Sequence, residues 1–273
     1  MKNPFENSVA IVTGGASGIG RAVSEAMGRK GATVVVSDID AEGANKVADG
    51  ILREGGKAGA THLDVTSEED IKNLIDRTAA EHGRLDYMFN NAGIAIQGEA
   101  RDMQQEHWDR IININLLGAL HGTVAAYARM VEQGFGHIVN TASVLGLVSI
   151  ATNCLYITTK HAIVGLSTSL RAEGAGLGVK VSVICPGFVQ TGLYDAATVR
   201  KADNNEFYAQ IPFKRMDVTK AGREILKGVE RNKAIIVFPF HARVMWWLQR
   251  IHPNALDPMN KQAIKAFRKI RRT

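Results

Sequence analysis

Tyr156 and Lys160 stand four positions apart in a stretch with helical periodicity, so their side chains share one helix face. An unperturbed phenol loses its proton near pH ~10, too high for base work at neutral pH. A neighbouring ammonium stabilises the phenolate and lowers that pKa. The pair could then exchange a proton with a substrate oxygen. Ser143 ends the strand before this helix and could hydrogen-bond the same oxygen. Taken alone, Tyr-x-x-x-Lys is also a common surface pair on helices, so the spacing by itself leaves both readings open.

A second group of residues has the chemistry of phosphate and ribose recognition. Thr13-Gly14-Gly15-Ala16-Ser17-Gly18-Ile19-Gly20 joins an apolar strand to a helix. Its glycines permit a tight turn and bring backbone N–H groups close to a phosphate at a helix N-terminus. The spacing is GxxxGxG rather than GxGxxG. Asp38 follows Val34-Val35-Val36-Ser37, about 20 residues after the turn. A carboxylate there accepts from both ribose hydroxyls of an adenosine and repels a 2′-phosphate. With no cation at Ser17 or Ile39, the pattern favours NAD over NADP. The alternative is that Asp38 only caps the helix starting near Ala41.

The elements that must hold these residues alternate regularly. Strands are expected at 8–13, 32–37, 57–63, 85–89, 136–142, 179–185 and 234–238. Helices are expected at 18–30, 41–54, from Ser67, 104–133, 153–176 and 218–231. Repeated βα units imply one doubly wound parallel sheet of about seven strands flanked by helices, with ligands beyond the strands' C-terminal ends. The chain has 273 residues, 45% hydrophobic and 22% charged, enough for a full core without disulfides. Its two cysteines, Cys154 and Cys185, lie in apolar stretches and suggest a reducing compartment. No apolar run approaches the ~18 residues of a membrane span, and no signal peptide follows Lys2, so a cytoplasmic location is expected. Residues 1–240 read as one catalytic domain with a lid near 188–217, and 241–273 as a basic amphipathic helical extension. Of the net charge of +6, that extension carries +7 and the body −1, which argues against nucleic acid as partner. There is no HExxH or CxxC grouping, and no metal is expected.

Together the motifs resemble the short-chain dehydrogenase/reductase family. The resemblance rests on TGGASGIG at 13–20, NNAG at 90–93, Asn115 within Asn-Leu-Leu-Gly, Ser143, Tyr-Ile-Thr-Thr-Lys at 156–160 and Pro-Gly-x-x-x-Thr at 186–191. Twelve residues separate Ser143 from Tyr156, and the resemblance spans about residues 8–238. It implies a Rossmann-like sheet ordered 3-2-1-4-5-6-7. It implies that Gly14, Ser17, Gly18, Ile19 and Gly20 surround the cofactor phosphates, Asp38 holds the ribose, and Asp64 and Val65 contact adenine. Asn91, Ala92 and Gly93 would pass beside the cofactor, while Asn90 ties strands. Pro186, Gly187, Val189 and Thr191 would flank the nicotinamide. Tyr156 would be the general acid/base, Ser143 would polarise the substrate oxygen, and Lys160 would tune Tyr156 and bind the nicotinamide ribose. Asn115 would hold a water linking Lys160 to solvent. A homodimer or homotetramer through the helices near 104–133 and 153–176 is also implied.

Positions beside these motifs are mostly apolar. Leu145, Cys154, Phe188, Leu193 and Tyr194 are expected at the substrate with Ser143 and Tyr156. Ile94, Ile96, Val144, Gly146, Val148, Asn153 and Leu155 stand near them, and Phe207, Phe213 and Met216 could close over the site. A hydrophobic secondary alcohol or ketone is expected. The rivals are a 3-oxoacyl-thioester reductase using NADPH and a non-catalytic NAD-binding or membrane-associated protein. In the extension, Val244, Trp247, Leu248 and Ile251 form one apolar stripe, and Ala263, Ile264, Phe267 and Ile270 another. These stripes suit either a helix on an anionic membrane surface or a tail packed on its own pocket or a partner subunit.

Overall fold

The computed structural model describes residues 3–272; Met1, Lys2 and Thr273 lie outside the described residues. Seven parallel strands form the central sheet. They are β1 (Val9–Thr13), β2 (Thr33–Asp38), β3 (Lys57–His62), β4 (Tyr87–Asn90), β6 (Gly136–Thr141), β7 (Val179–Pro186) and β9 (Ile235–Phe238), ordered β3-β2-β1-β4-β6-β7-β9. Two short strands, β5 (Ile96–Gln97) and β8 (Thr198–Val199), pair apart from it. With those set aside, the order is the one expected from the sequence.

Apolar runs become two-faced strands because neighbouring residues point to opposite sides. Val12, Phe89 and Val139 join Met27, Val47 and Ile225 on one face, from α1 (Gly18–Arg29), α2 (Ala41–Arg53) and α8 (Val218–Glu230). Ile11, Met88 and Ile138 meet Ile71, Leu74, Ala126 and Met130 on the other, from α3 (Glu68–His82) and α5 (Gly118–Gln133). Side-chain caps start the helices: Ser67 accepts from the Asp70 N–H and Asp217 from the Lys220 N–H. Asp40, not Asp38, caps α2 by accepting from the Gly43 N–H at 2.9 Å.

Three expectations change. The helix expected over 104–133 is continuous from Gln105 to Gln133 but contains a π-helical turn, Asn113–Leu117, between α4 (Gln105–Ile112) and α5. The stretch Gln105–Gln133 is also long and apolar enough, by length and composition, to cross a membrane. Part of its apolar composition is core-facing: Ala126 and Met130 are fully buried against the sheet. The expected lid contains β8 and α7 (Asn204–Ala209), and β8 fastens it to β5.

The extension forms α9 (Phe240–Ile251) and α10 (Asp257–Ile270), and its two stripes diverge. Phe267 of α10 is buried among Ala95, Ala197, Phe207 and Tyr208. On α9 the buried residues are Ala242 and Met245, whereas Val244, Trp247 and Ile251 are exposed and Leu248 is only partly covered. Of the two arrangements open to the first stripe, the outward one is found, because Ala242 and Met245, a half-turn away, fill the space under the helix.

A buried polar chain joins both central strands to the helices below. Asn90 Nδ2 donates to Thr123 Oγ1 and Asn140 Oδ1, and Asn140 Nδ2 donates to Ser167 Oγ. Asn140 is fully buried. Asn140→Ala removes the shared partner of Asn90, Thr123 and Ser167 and should cost about 1–3 kcal/mol, seen as a fall of several degrees in Tm. An unchanged melting curve would show that the chain is not holding the strands.

Candidate active site

The strand ends leave their polar residues on one rim. Thr13 Oγ1 accepts from the Asn91 and Ala92 N–H groups, and Asn91 Nδ2 donates to the Thr13 and Gly14 carbonyls. This binds the glycine turn to the strand beside it. Gly14 has φ of +63°, and a Cβ there would sit 2.8 Å from the Ala92 Cα. At Gly20 a Cβ would lie 2.0 Å from the Gly14 carbonyl oxygen, so this glycine lets α1 seat against the turn. Gly20 is not on the cavity wall, unlike Gly14, Ser17, Gly18 and Ile19.

The cavity along this rim holds about 680 Å³. Asp38, Asp64, Val65, Asn91, Ala92 and Gly93 line it, as do Pro186, Gly187, Val189 and Thr191. Asp38 Oδ2 accepts from the Ala16 N–H and Oδ1 from the Asp40 N–H, both at 3.0 Å. The carboxylate therefore braces the glycine turn while facing the cavity. Asp64 is held by the Thr66 N–H and hydroxyl. Helix α1 begins at Ser17 with no side-chain cap and no acid in its first turn. Its first N–H groups and the positive dipole end stay available to an anion. A dinucleotide fits this donor set: amides for phosphates, a carboxylate for ribose hydroxyls, and an apolar wall of Ile39, Leu63 and Ile114 for a purine.

Ser143, Tyr156 and Lys160 share the same wall. Ser143 ends the turn after β6, and its Oγ accepts from the Leu145 N–H at 3.1 Å. Tyr156 and Lys160 lie one turn apart on α6 (Cys154–Gly174), with Lys160 Nζ 5.5 Å from the Tyr156 ring centroid. Lys160 is buried and donates to the Thr141 carbonyl at 2.9 Å. Burial pushes its ammonium down to about 8. The Tyr156 phenol does not follow the expected downward shift. Burial drives it well above its ordinary value, the nearby Tyr194 adds to this, and the hydrogen bond with Ser143 opposes it. Desolvation decides the direction, and the Lys160 ammonium donates to the Thr141 carbonyl.

Some expected contacts are not made. Cys154 packs with Ile96, Ile111 and Leu155 instead of lining the cavity, since it faces the opposite side of α6. Ile96, Val148 and Leu155 are buried core residues, Gly146 lies under the Lys160 carbonyl, and Met216 pairs with Val189. Asn115 is buried off the cavity wall. Its Oδ1 accepts from the Ile94 N–H and its Nδ2 donates to the Ile94 carbonyl, so the side chain clamps the strand following Gly93. The π-helical turn carries it there. Leu145, Phe188, Leu193 and Tyr194 do line the cavity, as do Phe207 and Phe213.

Sequence reading missed one part of the wall and left another as one of several alternatives. Gln97 Nε2 donates to Asn153 Oδ1 at 2.9 Å, and Tyr208 Oη donates to Gln97 Oε1, which links β5, α6 and α7 across the cavity. Met259, Gln262, Ala263 and Ala266 of α10 close one side. Helix α10 is strapped down by Arg268 on Glu99 at 2.9 Å and Arg271 on Asp102 at 2.6 Å. Asn260 also accepts from the Ala151 N–H and donates to the Ser149 carbonyl. The sequence offered a basic, amphipathic segment that could pack on its own pocket, but not its anchors: the carboxylates that hold Arg268 and Arg271 lie 169 positions away.

A Rossmann-type sheet with Ser143, Tyr156 and Lys160 at its rim defines an oxidoreductase. Residues 8–202 match the short chain dehydrogenase family model, and the chain belongs to that family. It is 37% identical over 196 residues to a cyclohexanol dehydrogenase of Acinetobacter sp. (strain SE19), covering 71% of this chain and 77% of that protein. It is 40% identical over 194 residues to 2-(S)-hydroxypropyl-CoM dehydrogenase 3 of Xanthobacter autotrophicus, covering 71% and 76%. A short-chain dehydrogenase/reductase of Burkholderia phymatum, solved in complex with NAD, superposes with a TM-score of 0.84 at 27% identity, covering 92% of this chain and 95% of that one.

The strap makes a separable expectation. Arg268 and Arg271 hold the Glu99 and Asp102 carboxyls below their usual range, so both pairs persist until the pH falls through those lowered values. Arg268→Glu/Arg271→Glu should raise KM for a bulky ketone severalfold, with a smaller effect on a compact one, because the distal wall loosens. Equal KM changes for both would mean that α10 does not bound the substrate.

Proposed function

We propose that the protein is an NAD(H)-dependent oxidoreductase that interconverts a hydrophobic secondary alcohol and its ketone. The observation that carries this is one cavity with Asp38 on its wall, Ser143, Tyr156 and Lys160 together, and an otherwise apolar lining. Among the described lining residues the only cations are Lys160 and Arg110, and the only acids Asp38 and Asp64. Two separate cations form no cluster of the kind that grips a carboxylate or phosphate on the substrate. Cyclohexanol, in the Acinetobacter relative's name, is an alicyclic secondary alcohol, which accords with this wall.

The α1 N-terminus would receive the cofactor phosphates. Asp38 would accept from both ribose hydroxyls and disfavour a 2′-phosphate. Lys160 would reach the second ribose, and Pro186, Gly187, Val189 and Thr191 would hold the ring end. When bound, the nicotinamide supplies the site for a hydride leaving or entering the substrate carbon. Ser143 Oγ donates to the substrate oxygen and orients it. Tyr156 Oη takes the alcohol proton in oxidation and returns it in reduction. Apolar walls of Leu145, Phe188 and Leu193 exclude water and strengthen these polar contacts.

Tyr156→Phe should lower turnover by at least ~10²-fold while NAD binding, followed by calorimetry, stays within a few-fold. Turnover near wild type would sink the assignment of Tyr156. Asp38→Ser should narrow the preference for NAD over NADP in a 340 nm assay; a wild-type preference for NADP would overturn the reading of Asp38.

The raised phenol also fixes a pH dependence. Oxidation needs the Tyr156 phenolate, which is scarce below its elevated pKa, so kcat/KM for alcohol should climb from about pH 6 to 9, approaching tenfold per unit. Ketone reduction needs the phenol and should hold or fall over the same range. An oxidation rate independent of pH would exclude Tyr156 as the base.

A further inference from the structure

Four of the nine large hydrophobic residues most exposed among the described residues lie on α9: Phe240 at 76%, Val244 at 38%, Trp247 at 61% and Ile251 at 61%. Their spacing of four, three and four places them in a single stripe. Ala242 and Met245 on the opposite side are buried in the body, so the stripe is held rigidly outward.

The surroundings of the stripe carry one sign of charge. Arg243 and Arg250 are exposed on the same helix, Arg243 anchored to the Val237 carbonyl and Arg250 lying over the Trp246 ring at 5.3 Å. No acid occurs from Phe240 through Leu256. On α10, Lys261, Lys265 and Lys269 recur every fourth residue and are exposed, while Arg268 and Arg271 are occupied by Glu99 and Asp102.

We propose that α9 seats the protein on an anionic lipid surface, with Phe240, Val244, Trp247 and Ile251 in the interfacial layer and Arg243 and Arg250 against headgroups. An apolar stripe with aromatic residues and flanking cations is the pattern of a helix lying in the membrane plane. A second copy is a poorer occupant. A two-fold pairing of this stripe with itself brings arginines towards arginines, and no acid on α9 neutralises them. The docking stands apart from the reading of the reaction. Met245, on the inner side of the same helix, forms part of the wall of the apolar cavity.

The test uses the full chain and vesicles of phosphatidylcholine with or without phosphatidylglycerol. Wild type should sediment with the anionic vesicles, release as salt rises, and show a blue shift of tryptophan emission. Trp247→Ser/Ile251→Ser should lower partitioning on the order of tenfold or more, with melting temperature and turnover of a water-soluble alcohol retained. Phe240→Ser, at the most exposed position, gives a second variant should the first be unstable. Wild type remaining in the supernatant with anionic vesicles would overturn the proposal. So would folded variants that sediment like wild type, or variants that elute as smaller assemblies than wild type, which would give the stripe to a second copy.

Discussion

Parallel pairing in an unbroken register is the constraint on which everything else rests. Thr13 faces Ser37, Asp38 faces His62, Asn90 faces Asn140, and Pro186 faces Phe238. Because all seven strands run the same way, their last residues fall along a single rim. Four separate sequence motifs thereby become neighbours without any direct contact being required between them. A slip of one residue in any strand would turn its terminal polar group into the core and an apolar group onto the rim.

The chemistry of the rim depends on how water is removed from it. Burial works against both ionised partners of the Tyr156–Lys160 pair, raising the phenol and lowering the ammonium. What keeps such a pair serviceable is the supply of fixed dipoles. Thr141 offers a carbonyl to Lys160, Ser143 a hydroxyl to Tyr156, and Asn115 secures the backbone alongside. The π-helical turn at Asn113–Leu117 is the local distortion that brings Asn115 to this position, a common use of such a turn.

Where the information was local, the sequence was readable. The two-faced strands, the helix starts and the glycine turn follow from periodicity, caps and backbone freedom, and they yield a parallel doubly wound sheet; its strand order came with the family resemblance. Ser143, Tyr156 and Lys160 were legible because helix spacing puts the last two on one face and the ordered motifs around them match a known family; the spacing alone left a surface pair open. The misses share a different cause. Cys154 is two residues from Tyr156, yet helical rotation carries it to the far side. The direction of the Tyr156 shift depends on the competition between desolvation and a charge, and a sequence shows only the charge. The Gln97–Asn153–Tyr208 chain and the α10 strap join residues distant in sequence, and the outward stripe of α9 reflects what fits beneath the helix. No pattern within α9 itself distinguishes a face that meets the core from one that meets something else.

The α10 strap separates two demands that most enzymes must satisfy with the same residues. Its wall residues, Met259, Gln262, Ala263 and Ala266, belong to no strand and to none of the helices packed on the sheet, and the helix is moored by the buried Phe267, by Arg268 and Arg271 and by Asn260. Replacements along this inner face change the depth of the chamber without disturbing the hydrogen-bonded ladder or the dinucleotide cleft. Such a segment is a replaceable cassette: related chains could diversify in what they accept by rewriting some fourteen residues, while inheriting their folding stability and reaction machinery intact.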